Sequence, residues 1–198
     1  MACGERIFEF LEQPEEEPDT QNPVSTDGII GHVTFQDVNF GYTAEKTIID
    51  DLDLEVHPGE KIAIVGPTGA GKTTVVKLLM RFYELNGGSI SIDGINIKDF
   101  ARNDLREMFG MVLQETWLFK GTIRENIMYS RPDATEEELI AAATASRVHH
   151  FVQTLPGGYD FELNEETSNI SQGQKQLITI ARAFLQNPKI LILDEATS

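Results

Sequence analysis

The stretch KIAIVGPTGAGKTTVVKLLMRFY, residues 61 to 83, constrains the fold of this 198-residue chain more than any other. KIAIVG is apolar and branched and reads as a short strand. KTTVVKLLMRFY spaces Val75, Val76, Leu78, Leu79 and Phe82 as a partly buried helix would. Between them, Gly66–Thr73 fits G-x-x-x-x-G-K-[ST], and strand, Gly-rich turn and helix in that order make a phosphate-binding loop. Glycines let the backbone wrap closely around an anion with its N–H groups inward, and the following helix presents its positive end. Gly66, Pro67, Thr68, Gly69, Ala70, Gly71, Lys72 and Thr73, followed by Thr74, are the expected binding set. Lys72 adds a mobile charge for the terminal phosphates, and the Thr73 hydroxyl can ligate Mg²⁺. A nucleoside triphosphate with Mg²⁺ is the expected ligand.

A second apolar run, KILILD at 189–194, reads as a buried strand ending in acids. Beside a phosphate loop, Asp194 is placed to hold Mg²⁺ through water, and Glu195 to orient and deprotonate an attacking water. Composition narrows the partners. With 32 acidic against 16 basic residues the formal charge is -16, which would repel a phosphate backbone, so nucleic acid is a poor partner. The single cysteine, Cys3, cannot form an internal disulfide and fits a reducing compartment. No apolar stretch approaches the roughly 18 residues of a membrane span, and the amino terminus lacks the order of a signal peptide. The chain alone is expected to be soluble.

Along the chain, ERIFEFLE (5–12) can place Ile7, Phe8, Phe10 and Leu11 on one helical face, a tail or a docking helix. The proline-rich and acidic segment 13–28 reads as a solvated linker. Alternation in HVTFQDVNFGY and IIDDLDLEVHPGE implies an antiparallel β layer, GSISIDG (88–94) another strand, and GMVLQ (110–114) a buried one. From about 117 to 186 helical patterning replaces it. There Thr135 and Glu138 make a capping box opening a helical run that Gly157-Gly158 breaks.

NISQGQKQLITIARAFLQNPKILILDEATS, residues 169–198, closely resembles the nucleotide-binding domain of ATP-binding cassette (ABC) transporters, particularly exporters, and the likeness runs from about Val33 to Ser198. It implies an α/β fold: a RecA-like P-loop NTPase core with an antiparallel β subdomain and an inserted α-helical subdomain at about 117–186. Residues 29–198 would form the ABC domain and 1–28 the linker from a preceding transmembrane domain. The family signature LSGGQ corresponds to Ile170-Ser171-Gln172-Gly173-Gln174, with Gln172 replacing the first glycine. By their own spacing Ser171 and Gln174 make a capping box; by resemblance Ser171, Gly173 and Gln174 cover the γ-phosphate of a partner's ATP. The resemblance also makes Tyr42 the aromatic that stacks on adenine, Gln114 the Q-loop residue approaching Mg²⁺ and water, and Glu195 the catalytic glutamate.

The function this resemblance implies is that of an ATPase motor, coupling ATP-driven dimerisation of two cassettes to export. It would work with a second cassette, identical or not, and a transmembrane domain at the cytoplasmic face of the cell membrane. The family's D-loop aspartate and switch histidine lie beyond Ser198, so the expectation is a C-terminally truncated domain. Two other readings stay open: a fragment that binds Mg-ATP without turnover, and a non-transport ABC ATPase. NIKD (96–99) is not the N-K-x-D that reads guanine, and a GTPase would leave the signature unexplained.

Overall fold

The computed structural model describes residues 8, 11–12, 16–43, 45–113 and 116–194. An antiparallel sheet in the order β2-β1-β3-β4 comprises β1 (Val33–Phe40), β2 (Ile49–Val56), β3 (Gly87–Ile92) and β4 (Ile95–Asn96). β1 is central, pairing Val33 with Val56 on one side and with Ile92 on the other. Val33, Phe35, Val38 and Phe40 are buried, and the alternation slips by one residue at an irregularity between Phe35 and Val38, where Asp37 takes φ 48. They pack with Ile90, Ile92, Leu78 and Leu79 in one core, and the last two lie on helix α1 (Lys72–Leu79).

Helix α1 ends earlier than the apolar spacing implies. Arg81 adopts φ 53, its N–H donates to Leu78 O (3.0 Å), and the Phe82 N–H donates to Lys77 O (2.9 Å). This is the paired 5→2 and 6→1 closure that ends helices, usually with glycine at the left-handed position. Phe82, expected on the helix's buried side, is therefore thrown off it and is 49% exposed. Arg81 tolerates the conformation because its side chain is buried and held. Nε donates to Glu84 (2.9 Å), and Nη1 reaches the Lys98 and Phe100 carbonyls at 3.4 and 3.5 Å.

Arg81 belongs to a cluster that anchors the linker, whose described residues stay largely exposed as expected. Arg102, at the start of α2 (Arg102–Glu107), donates Nη1 to Glu17 O (2.7 Å) and to Asp19 Oδ1 (2.6 Å), and Nη2 to Glu84 Oε1 (3.1 Å). The Arg102 N–H donates to Asp19 Oδ2, and Val24 N–H donates to Asp99 O at 2.9 Å. Residues 16–24 are thus moored by acids that composition marks as solvated. Of residues 5–12, Phe8, Leu11 and Glu12 are described; Glu12 N–H bonds Phe8 O at helical spacing, and Phe8 and Leu11 are exposed.

The second lobe gathers Ile123, Ile127, Leu139, Ala143, Val148, Val152, Ile178 and Ala181 into its own core. Its helices are α3 (Ile123–Met128), α4 (Glu136–Ala145), α5 (His149–Gln153) and α6 (Gln172–Gln186). The Thr135–Glu138 box caps α4 as expected, and Thr122–Glu125 caps α3 in the same way. The run after Thr135 breaks at Arg147 (φ 64), well before Gly157. Val148 N–H to Ala143 O and Arg147 N–H to Thr144 O repeat the closure that ends α1. The lobe also holds an unforeseen pair of short strands, β6 (Gly121–Thr122) and β7 (Glu162–Leu163).

Between the lobes, β5 (Phe109–Val112) and β8 (Ile190–Leu193) pair in parallel. GMVLQ is buried on one face only, since Met111 and Leu113 are exposed, and β8 leaves Leu193 54% exposed. The expected strand at 61–66 does not form: these residues lie outside any strand, and Val65 is 85% exposed. A strand exists through a ladder partner, and among the described residues none pairs with this segment.

Candidate functional site

The phosphate loop keeps its local geometry without the strand. Gly69 and Gly71 have φ +84 and +88, a region that L side chains enter only at a cost. At Gly71 a Cβ would also stand 2.9 Å from Ile49 Cδ1, so the residue is needed both for its backbone angle and for the room it leaves. Gly71 is the N-cap of α1 and supplies no side-chain acceptor, and the first turn holds no acid. By contrast α3, α4 and α6 each carry a hydroxyl–carboxylate or hydroxyl–amide capping box. The first-turn N–H groups of α1 thus have no side-chain cap, and an anion can satisfy them.

Lys72 Nζ folds over the loop and donates to Gly66 O (2.8 Å) and Pro67 O (3.1 Å), which sets an ammonium beside the glycine turn. Thr73, exposed on α1, and Asp194 line one cavity of about 450 Å³ together with Lys77, Tyr83, Met111 and Leu113. Asp194 is delivered there by β8 and held by its N–H donating to Val112 O at 2.9 Å. Thr73 and Asp194, 121 positions apart in sequence, therefore face a common space. A hydroxyl and a carboxylate are the oxygen donors that Mg²⁺ takes, so the donor set fits the ion.

Tyr42 meets the loop's helix through a hydroxyl–hydroxyl hydrogen bond to Thr74 (3.2 Å). Phe40 and Tyr83 support it edge-on, with ring centroids 5.0 and 5.1 Å away. It is about half exposed, so a flat aromatic base can reach it. Sequence does not single out Tyr83, because nothing local marks a residue whose role is to brace another ring.

Ser171 and Gln174 form the expected box: the Gln174 N–H donates to Ser171 Oγ (3.3 Å) and the Ser171 N–H to Gln174 Oε1 (2.8 Å). Gly173 has open space where a Cβ would stand. These residues open α6 in the helical lobe and do not line the cavity shared by Thr73 and Asp194. Gln172, where the signature departs from its usual form, donates Nε2 to Thr116 Oγ1 at 2.9 Å, tying the start of α6 to the segment after β5. Gln114 and Glu195, assigned to catalysis from sequence, lie outside the described residues.

With this geometry in place, similarity to known proteins is informative. The ABC transporter family profile matches residues 49–198. A fatty acid ABC transporter ATP-binding/permease protein of Mycobacterium bovis is 53% identical over 198 residues, all of this chain and 31% of that protein. A putative multidrug export ATP-binding/permease protein of Bacillus subtilis is 48% identical across the whole chain and 34% of its own length. Among solved structures, a bacterial Atm1-family ABC exporter with ATP bound superimposes with a TM-score of 0.85. That match is 40% identical and covers 99% of this chain and 34% of the exporter. The chain thus spans about a third of the length of these relatives.

Proposed function

The chain belongs to the ABC transporter family, and from that membership we propose that it binds and hydrolyses ATP as the motor of an exporter. The observation that carries this reading is the convergence at α1: an uncapped amino end, Lys72 over the Gly66 and Pro67 carbonyls, and Thr73 facing the same cavity as Asp194. Each part suits a polyphosphate. The N–H groups and Lys72 take the negative oxygens, and Tyr42 offers a ring to adenine. Thr73 and Asp194, with Gln114, would hold Mg²⁺, which supplies neutralisation of charge on the terminal phosphates. Glu195 follows Asp194 directly and would take the proton of the attacking water.

The remaining assignments rest on the relatives and on the signature. Ser171, Gly173 and Gln174 present an exposed, capped helix start with room for close approach. Such a surface suits the phosphates bound by a second cassette. A second cassette and a transmembrane domain are therefore the proposed partners, at the cytoplasmic face of the membrane. ATP would drive the cycle by favouring the closed cassette pair over the open one.

A second reading, binding of Mg-ATP without turnover by this chain, is favoured by one observation. Residues 61–66, which deliver the loop, lie outside any strand, so the loop is anchored chiefly from its helix. Titration of the chain with Mg-ATP, together with a phosphate-release assay, separates the two. Binding with turnover supports the motor, binding alone supports the second reading, and a folded chain that ignores Mg-ATP refutes both.

A further inference from the structure

Away from the phosphate loop, three metal-binding side chains meet at one end of the β1–β2 pair. Val33 pairs with Val56 in antiparallel register, so the next residue outward on each strand, His32 and His57, come opposite one another. Their rings stack at 5.1 Å between centroids, 20° from parallel. Glu55 lies two positions before His57 and so shares its face, and its Oε1 is 2.9 Å from His32 Nε2. One ligand atom from each of the three lies within 4.8 Å of the others. Among the described residues this is the one group of three such side chains.

The backbones that carry the two imidazoles are each clamped by an acid on both polar groups. Asp93 accepts the His32 N–H through Oδ1 (2.7 Å) and returns its own N–H to His32 O (2.7 Å). Glu60 accepts the His57 N–H through Oε2 (2.9 Å) and returns its N–H to His57 O (3.0 Å). Two unrelated loops thus hold the histidines in place while their rings stay accessible at the surface.

We propose that His32, Glu55 and His57 form a site for a divalent transition metal of the zinc class. Two imidazole nitrogens and one carboxylate oxygen are a known three-ligand set for Zn²⁺, with solvent in the fourth position. Tetrahedral ligands at ordinary zinc distances stand about 3.3 Å apart. Closing the present spread therefore takes side-chain rotation and no strand movement. Mg²⁺ is the wrong ion for this set, since it prefers all-oxygen octahedral sites, so the cluster would not compete for the metal that accompanies ATP. A bound ion would rivet the ends of β1 and β2 together, and the proposal does not depend on the ATPase reading.

The test is titration of the full chain with Zn²⁺ at pH 7.5 by calorimetry, with Co²⁺ absorption to report four- or five-fold coordination. One equivalent should bind in the micromolar range and persist in excess Mg²⁺. His57→Ala and, separately, Glu55→Gln should weaken it by at least about tenfold with unchanged circular dichroism. The double variant His149→Ala/His150→Ala should leave it intact. Absence of stoichiometric binding, or binding that survives both His57→Ala and Glu55→Gln, would overturn the proposal.

Discussion

Replacing Arg102 with methionine tests whether the acidic linker is structural. Methionine keeps much of the length and apolar volume and removes the charge. Arg102 makes three side-chain hydrogen bonds, to Glu17 O, Asp19 and Glu84, and its Nε lies 3.0 Å from Glu16. Hydrogen bonds involving a charge contribute about 1.5–3 kcal/mol each, but two discounts apply. Asp19 and Glu16 are substantially exposed, so water screens them, and Arg81 remains within 2.9 Å of Glu84 and 3.6 Å of Asp19. About 2–3 kcal/mol should be lost, read as a lower urea midpoint at unchanged slope. The local signature is faster hydrogen exchange at Val24, whose N–H donates to Asp99 O across the linker junction. A loss below about 0.5 kcal/mol with Val24 protection unchanged would show that the linker is merely laid against the domain.

Acid should act on the same cluster. The Asp19 carboxyl is held below its usual range, first by the Arg102 backbone N–H; desolvation pushes the other way, and the Arg102 charge and side-chain hydrogen bond, with the Arg81 charge, help to outweigh it. Burial opposes ionisation of Glu84, but hydrogen bonds from Lys98 and Arg81 outweigh it and hold it low as well. Depressed carboxylates stabilise the fold fully above their unfolded values, about 4, and that stability is lost as pH falls through the lower folded values. Urea midpoints should therefore drop steeply below about pH 4 in the wild type and less steeply in Arg102→Met; parallel profiles would exonerate the cluster. Lys72→Ala should weaken Mg-ATP at least about tenfold in direct titration, because a point charge on the phosphates is lost; unchanged affinity would refute the loop assignment. In a transporter that contains this domain, Glu195→Gln should preserve ATP binding and slow turnover by about 10²-fold or more, and near-normal phosphate release would reject Glu195 as the base. Asn126, fully buried, bonds Phe119 N–H and the Phe119 and Thr122 carbonyls at 3.0 Å. Asn126→Ala removes these three side-chain hydrogen bonds from a buried site and should cost about 3 kcal/mol in chemical denaturation, a cost that a neutral effect would contradict.

Sequence alone determined the features that depend on neighbours a few residues away. The glycines of the phosphate loop, the Thr135 and Ser171 capping boxes and the apolar pattern of β1 all act within a turn of helix or along one strand. The same local logic holds for Thr122–Glu125, a T-x-x-E box that the sequence carries as openly as the other two. Tertiary structure decided whatever needs a distant partner. Arg81 and Arg147 stop helices with no glycine to announce it, and Arg81 holds its left-handed backbone within a ring of acids and carbonyls drawn from other segments. KIAIVG has the composition of a strand, yet composition cannot provide the ladder it requires. The acids of residues 16–19 are exposed as they read, but nothing local announces that Arg102, 83 positions beyond Asp19, anchors them. Tyr42 reaches Thr74, Asp194 reaches the Thr73 cavity and His32 faces His57 only because strands bring them together. Local propensity selects the pieces; pairing and burial across the chain decide which side chains meet.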